Sequence, residues 1–278
     1  MGVARPLSVL EIKPRRGLDG LGLSELRHHG NLLWLFILRE FKLRYVQTAL
    51  GPLWVVVNPL VPALLFTFVF TKVTTLDTDG LPYLAVITVG MVPWNTVSRT
   101  LGRGGGSLVS QRSLLTKVYF PRLLIPLSIT ITFIVDYLVA LAIAGLVILR
   151  FDLPVTWHIV VLPLLAVWTL ALGLASSLLV AAISVRRRDA LSALPIAIQV
   201  WLYSSPVVYT LASVTGVART LICFNPMTSL VEAHRWALTG STELGAPAMV
   251  GGLLLNLALL VTGLAAHHVA ERNMADVI

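Results

Sequence analysis

Residues 111–126 read QRSLLTKVYFPRLLIP, a hydrophilic interruption between long apolar runs. Arg112, Lys117 and Arg122 flank the aromatic pair Tyr119 and Phe120 and the helix breaker Pro121. Aromatic rings beside cations suit a short docking segment, because buried aromatics and arginines carry most of the energy of protein interfaces. The same charges also satisfy the bias of Lys and Arg toward one side of a membrane. Other chemistry is poorly served. His28, His29, His158, His234, His267 and His268 have no ligand spacing, and the single Cys223 excludes an internal disulfide or a multi-cysteine metal site. Gly102, Gly104, Gly105 and Gly106 are not followed by the Gly-Lys-Ser/Thr of a phosphate-binding loop; they are expected to give the start of a loop over 99–122 its flexibility.

Asp136 is the one carboxylate deep within an apolar run. An acid inside a membrane segment is costly and is usually paired or functional. With no strong basic partner expected from a neighbouring span, it reads as a structural or vestibule residue; a protonated carboxyl or a proton site are the other readings.

The elements that must position these residues follow from composition. Of 278 residues 56% are hydrophobic and 12% charged, about half the charge of a soluble domain. Mean hydropathy is +0.85. Repeated apolar runs near the roughly 20 residues needed to cross a bilayer define a polytopic, all-α membrane protein. The net charge of +8 does not mark a nucleic-acid partner, because the basic residues flank apolar runs. Residues 1–30 are expected to form a polar cytoplasmic arm, and they lack the apolar core of a signal peptide. Over 31–50, Trp34, Ile37, Leu38, Phe41 and Tyr45 recur at helical spacing, with Arg39, Glu40, Lys42 and Arg44 on the remaining face. That pattern predicts an N-terminal amphipathic helix in the membrane interface, with Glu40 and Arg44 at favourable i, i+4 spacing.

Six transmembrane helices are expected, over 53–71, 82–98, 123–149, 155–185, 191–211 and 246–269. Ala171, Gly173, Ala175, Ser176 and Ser177 in the fourth suit close helix packing. Residues 212–245 are partly apolar yet too short to cross twice, which predicts a re-entrant segment between spans 5 and 6. With both termini cytoplasmic, 17 Lys and Arg fall inside and 4 outside, as the positive-inside rule requires.

Six pieces carry a family resemblance: REFKLRYVQTALGPLW at 39–54, GMVPWN at 90–95, LLTKVYFPRLLIPLS at 114–128, RRRDAL at 186–191, WLYSSPVVY at 201–209 and FNPMTSLVEAHRWALTG at 224–240. Together they resemble the membrane subunit of ABC-2 type polysaccharide and polyol-phosphate exporters, such as O-antigen, teichoic-acid and galactan exporters. The resemblance makes 31–278 one ABC-2 type transmembrane domain in a bacterial plasma membrane. It implies a permease with no enzymatic activity, working as a homodimer with two ATP-binding-cassette subunits that carry ATP and Mg; no cofactor is expected on this chain. The cargo would be a polysaccharide on a polyprenyl diphosphate. Arg112, Leu115, Lys117, Tyr119, Phe120, Pro121 and Arg122 would form the ATPase-coupling segment, with gate helices over 213–240.

A glycan needs a polar-tolerant path, for which Trp94, Trp201, Tyr203, Tyr209 and Asp136 are candidates; Trp and Tyr near span ends equally fit an interfacial belt. Arg39, Lys42 and Arg44 could meet the cargo's diphosphate or, more simply, anionic membrane lipids. A drug exporter of the same superfamily and a proton-coupled transporter using Asp136 are the alternative functions.

Overall fold

The computed structural model describes residues 29–45, 50–73, 80–112, 120–187 and 189–277. Residues 1–28 of the expected arm over 1–30 lie outside them, as do Leu115, Lys117 and Tyr119. Every regular element among the described residues is helical. Helix α1, Gly30–Tyr45, is followed by α2, Trp54–Val73, which contains Pro59 and Pro62. Next come α3, Tyr83–Gly105, and the single turn α4, Ser107–Ser110. Helices α5, Leu124–Thr132, and α6, Ile134–Arg150, are separated only by Phe133. Then follow α7, Leu162–Arg186, and α8, Asp189–Tyr203. The chain closes with α9, Gly216–Cys223, α10, Pro226–Thr239, and the long α11, Ala246–Val277.

Among the described residues, four stretches are long and apolar enough to cross a membrane: Gly51–Thr71, Leu124–Arg150, Trp157–Arg186 and Ala246–Glu271. Two of the six expected spans are not among them. The one over 82–98 lies in α3, a helix at the centre of the bundle whose sequence carries Arg99 and Arg103 and whose buried residues include Thr88, Thr96 and Thr100. A helix surrounded by protein need not be apolar all round. The one over 191–211 is shorter than expected: α8 stops at Tyr203 after 15 residues, and Pro206 beyond it has no N–H to extend a helix. Residues 212–245 fold as the helix pair α9 and α10, and α10 is buried from Met227 to Arg235.

The core is built by Ile87, Val89 and Val92 of α3, Tyr137 and Ala140 of α6, Leu165 and Leu172 of α7, and Met227, Leu230 and Val231 of α10. On α2, Val61, Leu64, Leu65 and Phe68 stay exposed, as an apolar solvent permits. Without water to drive association, such helices are held by close contact and interhelical hydrogen bonds. The glycines supply the contact. A Cβ on Gly104 would lie 2.7 Å from the Ser177 Cβ, and one on Gly105 2.7 Å from Val180 Cγ1. The expected flexible start of a loop at 102–106 is therefore corrected: α3 runs helically to Gly105, and two of these glycines let α7 approach. Of the small residues predicted to pack in the fourth span, Gly173 lies against Thr100, Ala175 against Gly263 and Ser177 against Gly104. Thr96, Thr100 and Thr169 turn their hydroxyls back onto carbonyls of their own helices, while Ser184 reaches across to the Gly105 carbonyl at 3.1 Å and Asn256 to that of Trp168 at 3.2 Å.

The tightest approach is at α11, where a Cβ on Gly252 would sit 1.9 Å from Ser229 Oγ and 2.2 Å from its Cβ on α10. Gly252→Val should therefore separate α10 from α11 and lower stability by about 1–3 kcal/mol or more. Gly251→Val, next in the same helix with nothing within 4 Å, should be near neutral. Thermal unfolding of the two purified variants in one detergent checks the contrast.

Candidate functional site

Two polar assemblies are built into the bundle, one around α1 and one around α10. On α1 the side toward the bundle carries Phe36, Ile37 and Glu40, while Trp34, Leu35, Leu38 and Leu43 are exposed. Glu40, 3% exposed, accepts Arg103 Nε at 3.2 Å and Nη2 at 3.0 Å on one carboxylate oxygen. Its other oxygen accepts Gln111 Nε2 at 3.2 Å, and Arg39 Nη1 donates to Gln111 Oε1 at 2.9 Å. The favourable spacing to Arg44 is thus not how Glu40 is satisfied.

Arg44 turns instead to Asp136. Its Nη2 lies 2.6 Å from Asp136 Oδ2, and Arg99 Nη1 of α3 lies 2.7 Å from Oδ1. Arg44 also donates to the Thr132 carbonyl at 3.3 Å, a group left over where α5 ends, and its guanidinium stacks 4.2 Å from the centroid of Phe133. Two expectations are corrected here. Asp136 has two basic partners, because α1 and the end of α3 bring arginines to it that no neighbouring apolar run contains. Arg44 is nine-tenths buried in this clamp and does not face lipid headgroups; Arg39 and Lys42 are exposed.

The docking segment enters the same region. Phe120 is 5% exposed, its ring 5.2 Å from that of Phe36, in a cluster with Leu124, Ile125, Ile129 and Phe133. Pro121 is buried beside it. Neither is presented to a partner's pocket, contrary to expectation: the apolar half of the motif docks on the chain's own α1. Arg122 Nη1 donates to the Glu271 carbonyl on α11 at 2.9 Å, and Arg112 is exposed.

The second assembly fixes α10. Asn225 caps it: its Oδ1 accepts Met227 N–H at 3.0 Å and Trp201 Nε1 at 2.9 Å, and its Nδ2 donates to Ser204 O and Ser205 Oγ. Pro226 at the first helical position and Gly240 at φ +76° beyond the last are the residues helix ends favour. Inside α10, Arg235 pairs with Glu232 at 2.6 Å and donates to the carbonyls of Pro206 at 2.7 Å and Tyr209 at 2.9 Å. Glu232 accepts Thr242 Oγ1 and Glu243 N, both at 3.1 Å. His234 Nδ1 bonds the Leu230 carbonyl at 2.8 Å, which assigns its Nε2 as acceptor for the Tyr137 hydroxyl at 3.1 Å. This network straps α10 to the 204–210 segment, to the 242–243 turn and to α6.

Four path candidates meet beside it. Trp94, 5% exposed, packs edge to face on Trp201 with centroids 6.0 Å apart, and the Tyr209 hydroxyl donates to the Tyr203 carbonyl at 3.2 Å. Trp94 is core here, whereas Tyr203 is 53% exposed; Asp136 belongs to the α1 clamp. Arg99, Arg103, Asn225, Glu232, His234 and Arg235 were not singled out from sequence. Asn225–Pro226 as a helix start and the i, i+3 spacing of Glu232 and Arg235 were the available signals.

Residues 31–239, from the first turn of α1 to the last residue of α10, match the profile of the family described as ABC-2 type transporter. The chain belongs to the ABC-2 type transporter family. Both assemblies fall within the matched residues apart from Gly240, the 242–243 turn and Glu271. An O-antigen export system permease protein, RfbA, of Myxococcus xanthus is 31% identical over 215 residues, 77% of this ABC-2 chain and 82% of that one. An RfbA permease of Klebsiella pneumoniae is 23% identical over 209 residues, covering 74% and 79%. The resemblance carried by the six motifs is thus shown.

Removing one member of a buried ionic cluster strands the others. Asp136→Asn should lower stability by about 3–5 kcal/mol, and replacing Arg44, Arg99 and Asp136 together with Met, Met and Leu should recover most of that loss. Denaturant or thermal unfolding of the purified chain reads both.

Proposed function

We propose that this ABC-2 type transporter is the membrane-spanning permease of an ATP-driven exporter that moves a polyprenyl-diphosphate-linked polysaccharide from the cytoplasm to the outer face of the plasma membrane. The observation that carries the reading is the likeness to O-antigen export permeases over about four-fifths of their length. The permease acts as a homodimer with two ATP-binding subunits; ATP and Mg are held by those partners. It spans six times with both termini cytoplasmic. Besides the four apolar stretches, α3 crosses as the protein-surrounded centre. Helix α8 crosses with help: its 15 residues give about 22 Å of rise, short of a hydrocarbon core of about 30 Å. The rest is covered by 204–211, irregular backbone that is allowed where protein buries it. Helices α9 and α10 re-enter from outside as the gate.

Force enters through 111–122. An ATPase that pushes on Arg112, Leu115, Lys117 and Tyr119 moves Phe120, Pro121 and Arg122. Phe120 bears on Phe36 of α1 and Arg122 on the end of α11, so one push reaches two helices. Trp201, Tyr203 and Tyr209 edge the glycan path near the gate, and Arg39 and Lys42 meet headgroups at the cytoplasmic surface. With Asp136 held between two guanidiniums, its geometry supports a structural role in the α1 clamp over a proton-coupled one.

Co-purification tests the reading. A soluble ATP-binding subunit should come down with this chain, and lipid-linked glycan should stimulate its hydrolysis; transport into vesicles by the chain alone would refute it. Reversing two charges in the coupling segment, Arg112→Glu with Lys117→Glu, should reduce stimulated hydrolysis by about tenfold or more while membrane insertion is unchanged.

A further inference from the structure

Helices α7 and α11 run side by side and touch where a Cβ on Gly263 would lie 2.8 Å from the Ala175 carbonyl oxygen. Further toward the end of α7 they leave a groove of about 590 Å³, a volume within the range of small-molecule sites. Ala182 and Ile183 of α7 face Ala266 and Val269 of α11 across it, and Arg186 and Arg187 stand at the α7 end. Both arginines are exposed. Among the described residues neither guanidinium has an ion-pair or hydrogen-bond partner, unlike Arg44, Arg99, Arg103, Arg122 and Arg235.

We infer that this groove binds an anionic phospholipid of the bilayer, its phosphodiester on Arg186 and Arg187 and one acyl chain between α7 and α11. Charge complementarity selects the occupant. Two full cations outweigh the half charge of opposite sign at the C-terminus of α7, and the exposed Asp189 that opens α8 supplies one negative charge against two. The alanines leave room for a methylene chain that larger side chains would fill. Basic pockets between membrane helices on the cytoplasmic side are suited to anionic headgroups. The inference rests on the proposed cytoplasmic placement of this end, and not on the cargo. The bound lipid would brace α11 beside Glu271, whose carbonyl receives Arg122 from the coupling segment.

Native mass spectrometry and thermal unfolding of the purified chain, titrated with phosphatidylglycerol or phosphatidylcholine, test it. Phosphatidylglycerol should be preferred by roughly 30-fold, from two arginines near the surface. The preference should fall to parity in Arg186→Ala/Arg187→Ala and largely persist in Arg186→Lys/Arg187→Lys. Ala266→Phe, which keeps both charges and fills the groove, should also weaken binding, and it decides the matter if the alanine pair does not fold. An undiminished preference in the alanine pair, or undiminished binding in Ala266→Phe, overturns the inference. So does equal protection by inorganic phosphate, which makes this a free-anion site, or displacement by a polyprenyl phosphate, which makes it a cargo site. None of these readouts involves transport, so failure of the lipid site is told apart from failure of the glycan-export reading.

Discussion

A carboxylate taken out of water must find cations within hydrogen-bonding distance or the desolvation cost goes unmet, and this constraint organises the bundle. Asp136, Glu40 and Glu232 are each 3% exposed or less, and each is met by arginine. For the first two acids the partners come from different helices. Arg44 and Arg99 converge on Asp136 from α1 and α3, and Arg103 of α3 reaches Glu40 on α1. Ion pairs of this kind add little net stability over a well-packed apolar core. They do restrict geometry: α1 meets α3 and α6 with Glu40 and Arg44 both satisfied in one position, and a slide along its axis would strand both at once.

Around α10 the same constraint acts through the backbone. Arg235 spends one nitrogen on the Pro206 and Tyr209 carbonyls, which the irregular 204–210 segment cannot satisfy within itself. Asn225 uses its amide nitrogen and oxygen on four partners. Irregular backbone at the depth of a bilayer survives only when neighbouring protein supplies its hydrogen bonds. The glycine contacts at Gly90, Gly104, Gly173 and Gly252 bring the helices near enough for such short polar side chains to reach. Close packing and polar satisfaction thus depend on each other.

Much of the membrane character was legible in order along the chain. Apolar runs marked the four long stretches that the structure contains, and the spacing of apolar and charged residues over 31–50 marked α1. Phe120 and Pro121 were read as anchors in a partner's pocket, and in the structure both are buried within the chain itself. An aromatic ring records that it will be buried, and not against what; Phe120 found Phe36, 84 positions earlier. Glycines at 102–106 suggested mobility because a lone glycine gives the same signal whether it loosens a loop or admits a neighbouring helix.

By itself, then, the sequence determined the solvent of this protein, its helical class and its family, because these follow from composition, periodicity and local motifs that need no partner in space. The tertiary structure alone decided the pairings. Whether Asp136 was a lone acid or the centre of an arginine clamp, and whether Arg44 faced lipid or protein, depended on residues 37 and 92 positions away. Coulomb attraction acts over ångströms in space, and separation along a chain carries no record of it.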